Sequence, residues 1–594
     1  MRGFNPVDAG NVRLEGLYID LIDRLSNRLL EGSTIRVGLA AQRHPFPAPT
    51  GLVDFRLALP QDKTEFGIDI DTGNGSGIHG IGGSVTAKLP FDGNRFGLAL
   101  GVGYRNVDKI EGGNNGFFNY SALAVFRPAP GTELIAFASA IKSSNDHARA
   151  TYYPAGTAPP PQLERGVYLG LDWAKRSSDG YTRGLLAKIA LDSGWRIDAG
   201  LFLSGKTNDD NFSDLFRGVN PDGSASSRLV VADGNNSDRS LSGELRLTHE
   251  WTKGAFSHTL TADLRGRSRD RLFGGTVSLP LGPGSITSTS GWIKPAFTLG
   301  PENQDHVRQL TAGVAYSVLW RGKASLDISL AKSSYKKTVD FANPLLVDPV
   351  SVDHPLLWSV GGSIALVKNV VLFGGITRGQ EEALAAPDIA SNVAEAPPAI
   401  RTKQEEFGLR LGLTKDLSLV VAAFQIAKPY FNLDPALRYR QLGTLTNKGI
   451  EISLTGKLAP GLTVVGGTLF LDPTIQGEAV DAGLIGPRPV GQIRRRSQIN
   501  LDWRLMRGKS PLSVDVALES LSARTANAAN TLSAPARTTL NLGARYRFSI
   551  GGVNAVFRPT IVNITDNYGW QVSSSGGWTY TPPRTLTLGL VTDF

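Results

Sequence analysis

The 594-residue sequence predicts an all-β protein: a transmembrane antiparallel β-barrel of about 22 strands with a small amino-terminal domain in its lumen. Three observations carry this expectation. The chain ends in an amphipathic strand that stops on phenylalanine. Segments of strict two-residue alternation recur along most of its length. Between those segments, short and long connections take turns.

The final residues read RTLTLGLVTDF. Leu586, Leu588, Leu590 and Phe594 share one face of an extended strand, and Thr585, Thr587, Gly589, Val591 and Asp593 share the other. Such a strand can pair with the first strand of a barrel and leave no unpaired edge in lipid. Upstream, residues 540–548 set Leu540, Leu542, Ala544, Tyr546 and Phe548 against Asn541, Gly543, Arg545 and Arg547. Residues 499–505 set Ile499, Leu501, Trp503 and Leu505 against Asn500, Asp502 and Arg504, and residues 512–519 alternate in the same way, ending on Glu519. Residues 241–247 and 326–330 repeat the pattern with Glu244, Arg246 and Asp327 on the polar side. A soluble antiparallel sheet also alternates, but it rarely charges the polar face of so many strands in succession. The apolar faces are therefore assigned to lipid. The opposite register would bury Arg and Lys in hydrocarbon at roughly 2–4 kcal/mol each near the midplane.

Connection lengths give the topology. Working back from Phe594, short turns at 549–552, 506–510, 457–460 and 321–323 alternate with long connections at 567–583, 523–536, 471–493, 379–402, 337–355, 268–306 and 206–237. Short turns on the periplasmic side and long loops outside are the outer-membrane barrel arrangement. Trp251, Trp320, Phe548 and Phe594 then fall at the periplasmic ends of strands, on the apolar face, where an interfacial aromatic belt belongs. Composition agrees. Hydrophobic content is 41%, glycine is abundant at 68 residues, and the mean hydropathy of −0.10 is what alternation produces. No apolar run approaches the roughly 18 residues of a spanning helix. There is no cysteine, which excludes thiolate metal sites and disulfides. The net charge of +9 is spread along strands rather than gathered in a block, so it suits a polar lumen and an anionic ligand better than a nucleic acid.

Residues 1 to about 60 do not alternate. They read as a compact mixed segment, and domains are expected at 1–62 and 63–594. Arg2-Gly3-Phe4, Glu15-Gly16-Leu17-Tyr18, Ile35-Arg36-Val37-Gly38 and Gly51-Leu52-Val53-Asp54-Phe55 resemble, in order, elements of the plug domain of TonB-dependent outer-membrane receptors of the siderophore-receptor, ferrichrome-receptor-like type. Glu15 departs from the usual Asp. Lys403, Gly408 and Leu409, then Asn447-Lys448-Gly449-Ile450-Glu451, Val562-Asn563-Ile564-Thr565-Asp566 and Pro583-Arg584 with the terminal strand resemble barrel motifs of the same family. The resemblance spans the chain. It implies uptake of a ferric siderophore or similar iron chelate, with a porin-like passive channel or a non-functional truncated receptor as the alternative. It also implies a monomer in the outer membrane of a Gram-negative bacterium, in contact with lipopolysaccharide and outer-membrane lipid, with no nucleic-acid partner. The family works with the TonB–ExbB–ExbD complex. The signal peptide, the TonB-contacting box and the first half of the plug have no counterpart ahead of Arg2, so the plug is expected to be partial.

No catalytic constellation stands out, and no enzyme activity is expected. The seven histidines are scattered without metal spacing, and Asp69 and Asp71 read as a polar pair on one strand face. The chelator supplies the iron ligands, so no cofactor or protein-bound metal is expected. The family grips its chelate between loop aromatics, arginines and the plug apex. By that resemblance the candidate ligand-binding residues are Phe4 and Phe46 at the apex, and Tyr430, Phe431, Tyr439, Arg440, Trp570, Trp578 and Tyr580 in the outer loops. Arg494 and Arg495 follow a long loop. They can recognise an anionic chelate through charge-assisted hydrogen bonds, or be solvated or meet lipopolysaccharide phosphates.

Overall fold

The computed structural model describes residues 2–38, 44–75, 78–109, 111–288 and 292–594. Residues 39–43 lie outside them. A closed barrel of 22 antiparallel strands runs from Glu65–Gly75 to Thr585–Asp593. The last strand pairs with the first in the register Leu590↔Ile70 and Thr592↔Ile68. Pairing continues to the final residue, whose amide donates to the carbonyl of Phe66 at 2.9 Å. The barrel thus has no edge at its seam.

The alternation has the consequence expected of it. Leu542, Tyr546, Leu586 and Leu590 are exposed on the outer wall. Arg545 instead pairs with Asp502 and approaches Asp515 at 3.7 Å, and Arg496 pairs with Glu519 at 2.7 Å. Short turns close the lower ends. Ile550 pairs with Val553 across Gly551 and Gly552, both at positive φ (59° and 87°), a two-residue turn that only residues tolerant of the left-handed region form without strain. Beside the turn joining Ser237–Lys253 to Phe256–Gly274, Phe256 stacks on Trp320 with ring centroids 5.6 Å apart and Trp251 on His258 at 4.9 Å. These rings form part of the lower aromatic belt.

A four-stranded sheet lies within the ring. Its order is Leu17–Tyr18, Val12–Leu14, Leu52–Leu57, Leu30–Arg36. Val12–Leu14 turns back at Glu15-Gly16, both at positive φ (54° and 83°), and runs parallel to Leu52–Leu57. Its apolar side, including Val12, Leu14, Leu17, Ile19 and Leu57, packs on Leu123, Val125, Ile135, Phe137, Leu186 and Phe202 of the barrel wall. On that arc the wall is apolar on both faces, because the lumen there is a protein core rather than water. Elsewhere polar groups dock the sheet. Arg2 reaches Glu406 at 2.7 Å and Glu451 at 3.0 Å. Asn11 and Thr50 both donate to Glu381, at 2.8 and 2.7 Å, and the Tyr18 amide donates to Glu244 at 2.7 Å.

Above the membrane the connections do not remain loops. Much of 206–237, 268–306 and 567–583 is extended. The strand Trp195–Val219 runs 25 residues, and its upper part carries a second sheet. The order there is Val277–Ser285, Ser224–Asp233, residues 211–219, Ala150–Pro154, Trp578–Tyr580, Trp570–Val572. Its core joins Tyr152, Phe216, Ile286, Trp570, Trp578 and Tyr580. Arg228, stacked 4.6 Å over Phe216, closes a two-point pair with buried Asp214 at 2.9 and 2.6 Å. This roof reaches across the ring, joining connections more than 400 residues apart in sequence, such as Tyr152 and Trp578.

Candidate functional site

The structure divides the sequence-derived candidates into five groups. Trp570, Trp578 and Tyr580 are interior to the roof: Trp578 is 0% exposed and its ring centroid lies 5.6 Å from that of Trp570. They pack the roof loops against one another. Phe4 and Tyr430 are buried in one cluster with Phe424, Ile426 and Leu471, where Lys428 Nζ sits 4.1 Å over the Phe4 ring. Phe46 is buried against Ala315, Ala331 and Leu357. Arg494 and Arg495 border a groove that also takes in Phe407, Ile450 and Phe470, residues exposed on the outer wall, away from the mouth.

Phe431, Tyr439 and Arg440 come together around a cavity at the mouth. It measures about 220 Å³ and lies at the inner rim of the mouth, bounded also by Lys337, Asn392, Glu395 and Arg438. The rings of Phe431 and Tyr439 stand 6.1 Å apart. A bulge between Tyr430 and Phe431 interrupts the ladder there and re-aims the side chains that follow. Arg440 Nε donates to Asp434 at 2.7 Å, and that hydrogen bond leads the causes holding the partly buried Asp434 carboxyl below its ordinary range. The Arg438 guanidinium makes no hydrogen bond or ion pair among the described residues.

Lys337 was not among the candidates. It is the inward member of Lys336-Lys337, and the alternation of Leu326, Ile328 and Leu330 on the outer face of Ala324–Asp340 sets its direction. Its ammonium donates to Asp305 at 2.7 Å and to the Ala396 carbonyl at 2.9 Å. Arg271 shares Asp305 at 3.2 Å and donates to the Ala394 carbonyl at 2.8 Å. One carboxylate between two cations leaves the floor of the cavity positive. Below it Arg265, Arg267, Arg269 and Arg271 alternate along Phe256–Gly274 and descend the inner wall toward the plug. Arg267 bridges Glu382 and Asp20, the latter two residues past the inner-sheet strand Leu17–Tyr18. Burial opposes the charge on Asp20, but Arg267 and Arg269 outweigh it and hold its pKa below the ordinary 3.8. A track of arginines paired with carboxylates thus links the mouth to the inner sheet.

Among the described residues no group of three or more His, Cys, Asp or Glu side chains is placed to hold a metal ion. The cavity can therefore offer an anionic group two ring faces and a convergent set of cations, and it has no nucleophile paired with a base.

Comparison with known proteins agrees with this architecture. A family model described as TonB dependent receptor-like, beta-barrel matches residues 143–564. The ferrichrome receptor FcuA of Yersinia enterocolitica is 29% identical over 206 residues, a stretch covering 34% of this chain and 27% of that relative's length. The ferric preacinetobactin receptor BauA of Acinetobacter baumannii superposes with a TM-score of 0.82 at 20% identity, covering 98% of this chain and 88% of that one. The siderophore receptor PiuA of the same organism gives 0.82 at 12% identity, covering 100% and 90%. The ferripyoverdine receptor of Pseudomonas aeruginosa, bound to ferripyoverdine, gives 0.78 at 15% identity, covering 100% and 81%. At these identities the superpositions speak for the fold alone. The family's barrels lie in the outer membrane of Gram-negative bacteria, which is where this lipid-facing band belongs. The match over well more than half of its length places this chain in the TonB-dependent receptor-like β-barrel family.

Proposed function

We propose that the protein takes up a ferric siderophore or a similar anionic iron chelate, capturing it at the rim cavity and passing it inward beside the plug. The carrying observation is the meeting of Phe431 and Tyr439 with Lys337, Arg438 and Arg440 at the mouth. The chelator brings the iron ligands, so the protein's part is to cradle charge and ring surface. At about 220 Å³ the cavity is smaller than the 300–1,000 Å³ of an ordinary small-molecule site. It would hold one arm of a chelate, and the roof would shift to admit the rest. The roof aromatics Trp570, Trp578 and Tyr580 would then act by closing over the ligand, and Phe4 and Phe46 by holding the apex beneath it. The family's name implies TonB as the energising partner.

The test is tryptophan-fluorescence titration with ferric hydroxamate and ferric catecholate chelates. Tyr439→Ala combined with Arg438→Gln is expected to weaken binding about tenfold or more, since charge-assisted contacts contribute roughly 1.5–3 kcal/mol each. Unchanged affinity would remove the cavity from the reading. A second reading, a passive channel, has its own support. Along Leu462–Gln476 and Arg495–Arg504 the inward residues Val465, Gln498 and Asn500 are exposed within the ring. Ion conductance through planar bilayers without any chelate, together with uptake independent of the proton gradient, would favour the channel.

A further inference from the structure

At the lower end of the barrel the charge of the short turns differs between the two sides of the ring. Six successive turns, from the one after Ser237–Lys253 to the one before Leu512–Leu521, each carry an exposed cation: Lys253, Arg321, Lys368, Lys415, Lys457 and Lys509. Lys323 and Arg507 add a second to two of them. Within turn residues 253–255, 321–323, 368–369, 415–416, 457–461 and 504–511 the only carboxylate is Asp416. None of these cations makes an ion pair among the described residues. Arg321 donates to the Ser257 and Thr252 hydroxyls at 3.3 and 3.4 Å, and Lys323 lies 4.3 Å over the Trp320 ring.

The other four lower turns show no such excess. Asp92 lies 3.8 Å from Arg95, and Arg127 reaches Glu133 at 2.9 Å. The turn before Trp195 carries Asp192, with Arg196 beyond it paired to Asp198 at 2.8 Å, and the turn at Gly551-Gly552 has no charge. The basic arc therefore covers slightly less than half of the ring. With strands about 4.8 Å apart and tilted by about 45°, its cations follow the lip for about 70 Å, at about 14 Å from turn to turn.

This layout selects among anionic partners. Phospholipid headgroups surround a barrel on every side, so a lipid role would distribute the cations round the whole ring. A small anion or a compact acidic protein would need them gathered in one place, and they are set out along a curved lip instead. An extended polymer that repeats its negative charge can meet all six turns at once. Exposed ion pairs are weak singly, so attachment would come from several engaged together. The short-turn end faces the periplasm in the outer-membrane arrangement, and the polymer of that description there is the cell wall.

We propose that this arc docks the barrel on peptidoglycan, its ammonium and guanidinium groups donating to the free carboxylates of the peptide stems. The surface lies at the opposite end of the molecule from the rim cavity and does not depend on what the mouth binds.

The test is co-sedimentation of the full folded chain, in an uncharged detergent, with protein-free peptidoglycan sacculi. The wild-type protein is expected to pellet at about 0.05 M salt and to be released at about 0.5 M, where screening is strong. Amidating the carboxylates of the sacculi is expected to abolish pelleting. Lys415→Gln combined with Lys457→Gln is expected to weaken binding about fivefold, and adding Lys368→Gln and Lys509→Gln about thirtyfold in all. Arg95→Gln combined with Arg196→Gln removes two cations from the other side of the ring and is expected to leave binding within about twofold of the wild type. Heat-modifiable migration on a gel establishes that each variant is folded. Equal pelleting on amidated sacculi, or equal losses in the two double variants, would overturn the proposal. So would a wild-type protein that stays in solution at low salt, which would hand the arc to an acidic protein.

Discussion

Lys337 shows how much one side chain's direction decides. Its ammonium is buried at the floor of the rim cavity, with Asp305 shared between it and Arg271. An arriving anion meets two cations that one carboxylate only half neutralises. Lys337→Met should therefore weaken binding of an anionic ferric chelate about tenfold to a hundredfold, the range for losing one charged hydrogen bond, in the same fluorescence titration. Asp305→Asn should leave binding intact or strengthen it. Loss of binding in both variants would mean that the pair only supports the fold. The inward aim of Lys337 was legible in the sequence, since a two-residue period through Leu326, Ile328 and Leu330 fixes it. Its partner Asp305 was not, because pairing of Glu302–Trp320 with Ala324–Asp340 sets them together only once the register is known. The burial of Trp570, Trp578 and Tyr580 was hidden for a related reason. Aromatics in a long polar stretch look available to a ligand until the stretch packs against other loops.

At the scale of the element, the inner sheet is held by groups that respond to pH. His44 is buried. Its geometry suits the Nε2–H tautomer: Nε2 donates to the Gly16 carbonyl at 3.3 Å, while Nδ1 accepts the Phe46 amide at 3.2 Å. Burial, then Arg13 and Arg246, push its pKa well below the ordinary 6.5. A free His44 takes a proton below that value and a docked one does not, so the undocked state binds more protons and docking weakens as pH falls below 6.5. Asp20, whose pKa is depressed, adds a loss of the same sign at lower pH. Protection factors against hydrogen exchange in residues 12–38 and 44–57, taken relative to the base-catalysed intrinsic rate at each pH, should therefore be lower at about pH 5 than at about pH 7, and His44→Gln should shrink the difference. Equal protection factors at the two pH values would refute this. The sheet itself was hard to see in the sequence. Its strands are two to seven residues long and it is stabilised by contact with the wall, so neither period is sustained. The wall facing it hides as well: residues 121–126 are apolar on both faces or nearly so, which erases alternation.

For the molecule as a whole, the ring closes only when the last strand finds the first. Deleting residues 585–594 removes the partner of both Glu65–Gly75 and Val553–Val562 and exposes two long edges in lipid. Such a chain should not reach the heat-modifiable barrel form in outer-membrane fractions, whereas Leu588→Val should. A folded, membrane-inserted deletion variant would contradict the closure described above. The barrel was legible because lipid on one side and polar lumen on the other stamp a two-residue period on most spanning strands, and because connection lengths report sidedness. The roof was not legible. Its short strands pair across the ring, and no local pattern announces a partner more than 400 residues away.

That roof has a kinetic meaning. Because Ala150–Pro154 pairs both with the top of Trp195–Val219 and with Trp578–Tyr580, no single loop can lift without disturbing the common core, and the mouth should gate as one piece. The buried Trp578 indole N–H finds no acceptor among the described residues, a burden of roughly 1–3 kcal/mol that opening would relieve. Entry should then be a slow, ligand-independent opening followed by fast capture. In stopped-flow mixing, the observed association rate should rise with chelate concentration and level off at one ceiling shared by chelates of different affinity. A rate that stays linear up to the highest concentrations would mean that the mouth is never the bottleneck.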